Sequence, residues 1–170
     1  MKHKLFTTRE TCYIALFAAV IAVSAWIAIP AAISFTMQTF AVFCAVGLLG
    51  TKCAVASILT YIVIGAAGLP VFTGFVGGIG IFATVNGGFI LGFIPAALVC
   101  GTLIKKGLHA AISMGIGLLV CYFFGSAWFC ILSGGKFLAS VQACVLPFIP
   151  FDIIKISLAA FTVKKLKKHI

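Results

Sequence analysis

The chain is 170 residues long, 64% hydrophobic and 8% charged, with a formal net charge of +10. A soluble domain carries about 25% charged residues, so this composition excludes one and leaves an integral membrane protein. The basic excess does not indicate nucleic acid, because the lysines stand between or beside apolar runs, where the positive-inside rule places them.

Met1–Arg9 is a short basic arm, followed by Glu10. The apolar run from Cys12 to Ile29 is long for a signal-peptide core and is read as a retained first span, residues 11–29. Within it Ala15, Ala18, Ala19 and Ala22 form a smooth face that lets another helix approach closely, a candidate partner interface. Pro30–Thr36 breaks this helix and predicts an outer loop. A second span, 37–50, has Gln38 near its start, and Gly50-Thr51-Lys52 turns the chain into a third, 53–67, which contains Tyr61. At ~1.5 Å per residue, neither of these covers a ~30 Å hydrocarbon core without its flanks.

Gly68–Thr84 is glycine-rich yet apolar, which predicts a loop folded over the membrane mouth. It lacks the Gly-Lys-Ser/Thr ending of a nucleotide loop. The fourth span, 85–104, opens with Asn86-Gly87-Gly88-Phe89, and Gly88-x-x-x-Gly92 gives it a close-packing face. A fifth span covers 108–131. The sixth, 137–163, is interrupted by Pro147 and Pro150, which predict a kink or a separate lead-in helix.

Six spans in one membrane domain, residues 1–170, put both termini on the same side. With the termini cytoplasmic, Lys2, Lys4, Arg9, Lys52, Lys105, Lys106, Lys164, Lys165, Lys167 and Lys168 lie inside, Lys136 outside, and Lys155 within the membrane. The seven cysteines show no C-x-x-C pair and no metal-ligand spacing with histidine, so they read as small packing residues. No metal or cofactor is implied, and His3, His109 and His169 have no assigned role.

Asp152 and Lys155 stand apart from this pattern. They are three residues apart, on one face of a helix, and a lone charge in hydrocarbon costs roughly 2.5–3.5 kcal/mol. The pair therefore faces a protein interior, either as a self-neutralising ion pair or as part of a ligand site. On the six-span topology Thr36, Gln38 and Asn86 come to the same outer side and depth. Apolar walls with a few placed polar groups describe a small-molecule pocket.

Four segments resemble one family. Ser34-Phe-Thr-Met-Gln-Thr-Phe-Ala-Val, Tyr61-x-x-x-Gly65-x-x-Gly68-Leu69-Pro70-Val71-Phe72, Asn86-Gly87-Gly88-Phe89-Ile90-Leu91-Gly92-Phe93 and Pro150-x-Asp152-x-x-Lys155 occur in the order seen in the biotin-specific substrate-binding subunits (S components, BioY type) of energy-coupling-factor (ECF) transporters. The chain departs from the family pattern where Thr84-Val85 replaces Gly-Pro, Asn86 replaces threonine, and Phe89 replaces tyrosine. The resemblance implies an all-α bundle with an outward-facing pocket in the cell membrane of a prokaryote. It implies capture of biotin from outside and delivery through a shared module of a transmembrane coupling protein and two ATPases. It places Asp152, Lys155, Asn86, Thr36, Gln38, Tyr61, Phe72, Gly87 and Phe89 at the substrate.

An S component for another vitamin, such as riboflavin or thiamine, shares this architecture, and a non-transport assembly subunit also fits the composition. A membrane enzyme does not, because the chain lacks an intramembrane nucleophile–base pair, a His/Glu metal set and a second buried carboxylate. An ion pathway lacks its series of ionisable groups.

Overall fold

The computed structural model describes residues 5–29 and 35–168; Lys2, His3, Lys4, the stretch 30–34 and His169 lie outside them. Its elements are helices α1 (Thr8–Trp26), α2 (Gln38–Ala66), α3 (Val85–Lys105), α4 (Ala110–Ser133), α5 (Phe137–Cys144) and α6 (Ile149–Leu166), a 3₁₀ turn at Ile79–Ala83, and two short strands. The strands, β1 (Ala28–Ile29) and β2 (Phe35–Thr36), pair antiparallel, with Ala28 opposite Thr36. This pairing fastens part of the expected outer loop to the end of α1.

Glu10, one of two acidic residues in the sequence, has a local task. The Thr7 side chain accepts from the Glu10 N–H at 3.2 Å while the Glu10 carboxylate accepts from the Thr7 N–H at 2.7 Å. This capping box satisfies donors that the first turn of α1 leaves open.

The helix α2 is a hairpin. Gln38 and Tyr61 would stand ~34 Å apart on a straight helix, yet the Gln38 amide donates to the Tyr61 hydroxyl at 2.8 Å. The two arms, 38–49 and 51–66, therefore run antiparallel. The reversal is at Gly50, whose φ of 77° and ψ of 170° interrupt the helical geometry. A side chain there would meet the left-handed penalty that glycine escapes.

The close-packing face of α3 is used within the chain, against α4. A Cβ on Gly88 would stand 2.2 Å from the Cβ of Trp128, so only hydrogen fits at that crossing. Small residues permit this approach where lipid supplies no hydrophobic drive between helices.

The last apolar run is two helices. α5 and α6 are bent by 60° across the break 145–148. Pro147 lies in that break and Pro150 at the start of α6, where a missing N–H costs nothing. Asp152 consequently sits in the first turn of α6 instead of the middle of a long span.

Among the described residues, four helices (α1, α2, α3, α4) are each long and apolar enough to cross a membrane, and five segments are if α5 and α6 count as one bent span. Leu16, Val63, Leu119, Phe123 and Phe161 are more than half exposed on the outside, which suits lipid and not water. The protein is a multi-pass membrane protein. Its two ends differ in charge. Lys52 donates to the Leu5 carbonyl, Gly101 abuts Thr51, and Gly47 abuts Val163. The α1 start, the α2 reversal and the ends of α3 and α6 thus share one end, with Lys52, Lys105, Lys106, Lys164, Lys165, Lys167 and Lys168.

Candidate functional site

At the other end three helices begin: Gln38 is the first residue of α2, Asn86 the second of α3, and Asp152 lies in the first turn of α6. Each start presents open N–H groups and the positive end of a helix dipole, a setting that suits a carboxylate. Between them lies a cavity with about 570 Å³ of empty space, part of it open to the exterior. Its lining includes Asp152, Lys155, Asn86, Thr36, Gln38 and Phe89, together with Phe35, Thr39, Thr73, Ile90, Phe93, Cys121, Tyr122, Cys144 and Phe148.

The charged pair is real and buried. Lys155 Nζ lies 2.9 Å from Asp152 Oδ1, and both side chains are 6% exposed. The ammonium also donates to the Thr36 carbonyl at 2.6 Å and to Thr39 Oγ1 at 3.4 Å. It sits 3.5 Å from the centroid of the Phe35 ring, a cation–π contact. All three ammonium protons thus have acceptors. The carboxylate is held from the other side as well, where the Tyr122 hydroxyl donates to Oδ2 at 2.5 Å, while Thr39 Oγ1 donates to Oδ1 beside the ammonium at 3.4 Å. Four segments, β2, α2, α4 and α6, converge on two side chains.

The neighbouring polar groups are set less completely. Gln38 has both ends of its amide engaged, its carbonyl accepting from Thr36 Oγ1 at 3.1 Å and its NH₂ donating to Tyr61. Asn86 lines the cavity, and its side chain makes no hydrogen bond with any described residue. It is a primary amide with donor and acceptor both available.

Tyr61, Phe72 and Gly87 do not line the cavity. Tyr61, 1% exposed, orients Gln38 from behind. Phe72 is fully buried and stands edge-on to Tyr61 and Phe82, with ring centroids 5.4 and 5.9 Å away. Gly87 lies against the backbone of Phe82, where a Cβ would come within 2.6 Å. These three shape the wall behind the site. The glycine-rich loop contributes Thr73 to the lining, and its bridge between Phe72 and Val76 closes it into a flap. The α1 end holds the flap: Trp26 Nε1 donates to the Pro70 carbonyl at 3.1 Å, and its ring stacks on Phe75 at 5.0 Å.

Sequence reasoning missed Tyr122, Thr39, Phe35 and Phe148. Thr39 had a local signal, since its hydroxyl follows directly on the Thr36-x-Gln38 segment. Tyr122 had a weaker one, as the tyrosine of the fifth apolar run. The stacked rings of Phe35 and Phe148, 5.7 Å apart, had none among 17 phenylalanines.

The alanine face divides. Ala18 and Ala22 are buried in the chain's own core, whereas Ala15 and Ala19 are exposed. All four line a shallow groove between α1 and the second arm of α2, with Thr60 and Ile64 opposite.

Comparison with known proteins agrees with this architecture. A crystal structure of the S-component for biotin from an ECF-type ABC transporter superposes with a TM-score of 0.89 at 26% identity, covering 97% of this chain and 96% of that one. The biotin transporter BioY of Thermotoga maritima is 35% identical over 168 residues, 94% of this chain and 96% of its own length. The biotin transporter BioY of Rhizobium etli is 32% identical over 171 residues, 91% of this chain and 90% of its own. A family model described as the BioY family matches residues 1–170. From its buried ion pair outward, and along its whole length, the chain belongs to the BioY family.

Proposed function

We propose that the chain is the biotin-binding S component of an ECF-type transporter and that the cavity at the starts of α2, α3 and α6 is its substrate site. The observation that carries this reading is the buried Asp152–Lys155 pair, which lines an open cavity instead of being sealed in the core. A pair kept only to neutralise itself has no need of a void beside it. Biotin's ureido ring offers two N–H donors and one carbonyl acceptor. Asp152 accepts from the ureido N–H groups, and Asn86, with its amide uncommitted, both donates and accepts. Lys155 serves the ureido carbonyl or the valerate carboxylate. Phe89 and the other aromatic walls cover the thiophane ring.

In the described state the two charges hold each other, so binding exchanges an internal hydrogen bond for one to substrate. A saturated pair avoids the cost of naked charge while the site waits. The flap from Gly68 to Thr84, carrying Thr73, then covers the bound molecule.

The orientation follows from the charged end. With Lys52, Lys105, Lys106, Lys164, Lys165, Lys167 and Lys168 in the cytoplasm, both termini are inside, Lys136 is outside, and the cavity faces outward. We place six spans in one membrane domain, counting the two arms of α2 separately and α5–α6 as one. The sequence has no nucleotide-binding loop, so uptake is powered by partners, a transmembrane coupling protein and two ATPases. The exposed Ala15 and Ala19 are the part of the alanine face that a coupling protein can reach.

Mass spectrometry of small molecules carried through purification tests the substrate. Biotin released from the denatured chain, displaced beforehand by excess deuterated biotin but not by riboflavin or thiamine, is the expected result. A different vitamin, or none after incubation with biotin, would refute the assignment.

A further inference from the structure

A second recess lies at the lysine-rich end, remote from the cavity just described. It opens between the first arm of α2, the α3–α4 turn and the last turns of α6, with about 820 Å³ of empty space, part of it open to the exterior. Its lining is of two kinds. Ala160, Phe161 and Val163 supply an apolar wall, while His109, Lys164 and Lys167 form the rim. Lys164 lies in the last turn of α6 and Lys167 caps it in helical geometry three residues on, so their side chains leave on one face. Both are exposed, and neither has a hydrogen bond or ion pair with a described residue. An adjoining recess lined by Phe161, Lys164, Lys165 and Lys168 extends the same rim.

Among the described residues no acidic side chain stands beside these groups. Of the chain's two acidic residues, Glu10 is tied into the α1 cap and Asp152 is engaged in the far cavity. Neither lines either recess.

We propose that this recess is a binding site for an anionic phospholipid. The headgroup phosphate lies between Lys164 and Lys167 beside His109, and one acyl chain runs along Phe161 and Ala160 toward the membrane. A soluble anion would satisfy the rim but leave the apolar wall bare. A zwitterionic lipid brings its own ammonium group, which the lysines repel. A lipid with net negative charge meets both walls, as basic pockets at the cytoplasmic ends of membrane helices do. Phe161, 65% exposed, is the largest apolar surface that the acyl chain covers.

The test uses the full-length chain in nanodiscs of equal parts phosphatidylglycerol and phosphatidylcholine, released into native mass spectrometry. Phosphatidylglycerol is expected to be retained in preference. The double variant Lys164→Gln/Lys167→Gln is expected to lose roughly tenfold of that preference, and each single variant part of it, with helical circular dichroism unchanged. Lys136→Gln, at the other end, keeps the wild-type ratio. Equal retention of the two lipids by the wild type overturns the proposal, as does undiminished phosphatidylglycerol retention by the lysine variants. Loss of co-purification with a coupling protein in those variants, with lipid retention unchanged, would give the rim to a protein partner and overturn it equally.

Discussion

The Tyr122 hydroxyl on α4 donates to Asp152 Oδ2 on α6 at 2.5 Å, on the side of the carboxylate away from Lys155. The carboxylate is therefore clamped between a cation and a phenol, and its direction does not depend on the ion pair alone. Tyr122→Phe removes the clamp while keeping the ring. A hydrogen bond to a charged group contributes about 1.5–3 kcal/mol, so biotin affinity is expected to weaken roughly tenfold or more. Calorimetric titration of the variant checks this, and wild-type affinity would reduce Tyr122 to a wall residue.

The ion pair sets a second expectation, on stability. Lys155→Ala leaves the Asp152 carboxylate buried with its cation gone, and breaking a buried pair costs about 3–5 kcal/mol. The double variant Asp152→Asn/Lys155→Met removes both charges and is expected to recover most of that loss without recovering biotin binding. Thermal unfolding in detergent, followed with and without biotin, separates the two effects. A double variant as unstable as Lys155→Ala would mean that the charges do not act as a pair.

A third expectation concerns the groove beside α1. Ala15 and Ala19 are exposed and Ala18 and Ala22 are not, so Ala19→Trp adds bulk to the surface and Ala22→Trp adds it to the core. Ala19→Trp should keep biotin affinity and lose co-purification with a coupling protein severalfold. Ala22→Trp should lower stability, because overpacking a filled core costs about 1–3 kcal/mol. Undiminished co-purification of Ala19→Trp would move the partner surface elsewhere.

The charged and amide residues of the site were legible in the sequence because they are rare in an apolar chain. Asp152, Lys155, Gln38 and Asn86 each stood out against a hydrocarbon background, and each lines the cavity. The turn at Gly50 was legible too, from the glycine and the lysine that follows. Tyr122 and Phe148 were not, because their roles arise from long-range packing: Tyr122 reaches Asp152 across 30 residues of sequence, and Phe148 stacks on Phe35 of β2. Tyr61 and Phe72 were legible as constituents of the region but not of the lining. A segment pattern marks a wall without showing which side of it faces the void.

The position of the pair within its helix also escaped the sequence. Pro147 and Pro150 signalled an interruption, but the bend of 60° belongs to the packed structure. That bend brings Asp152 to the first turn of a helix, where the positive end of the helix dipole and the Tyr122 hydroxyl support its charge.

Asp152 and Lys155 are proposed to hold biotin and not merely each other. Calorimetric titration of biotin into the purified chain and into its Asp152→Asn and Lys155→Ala forms tests it most directly. Each variant should bind at least about tenfold more weakly, matching the loss of a charged hydrogen-bond partner. Wild-type affinity in both variants would contradict the account.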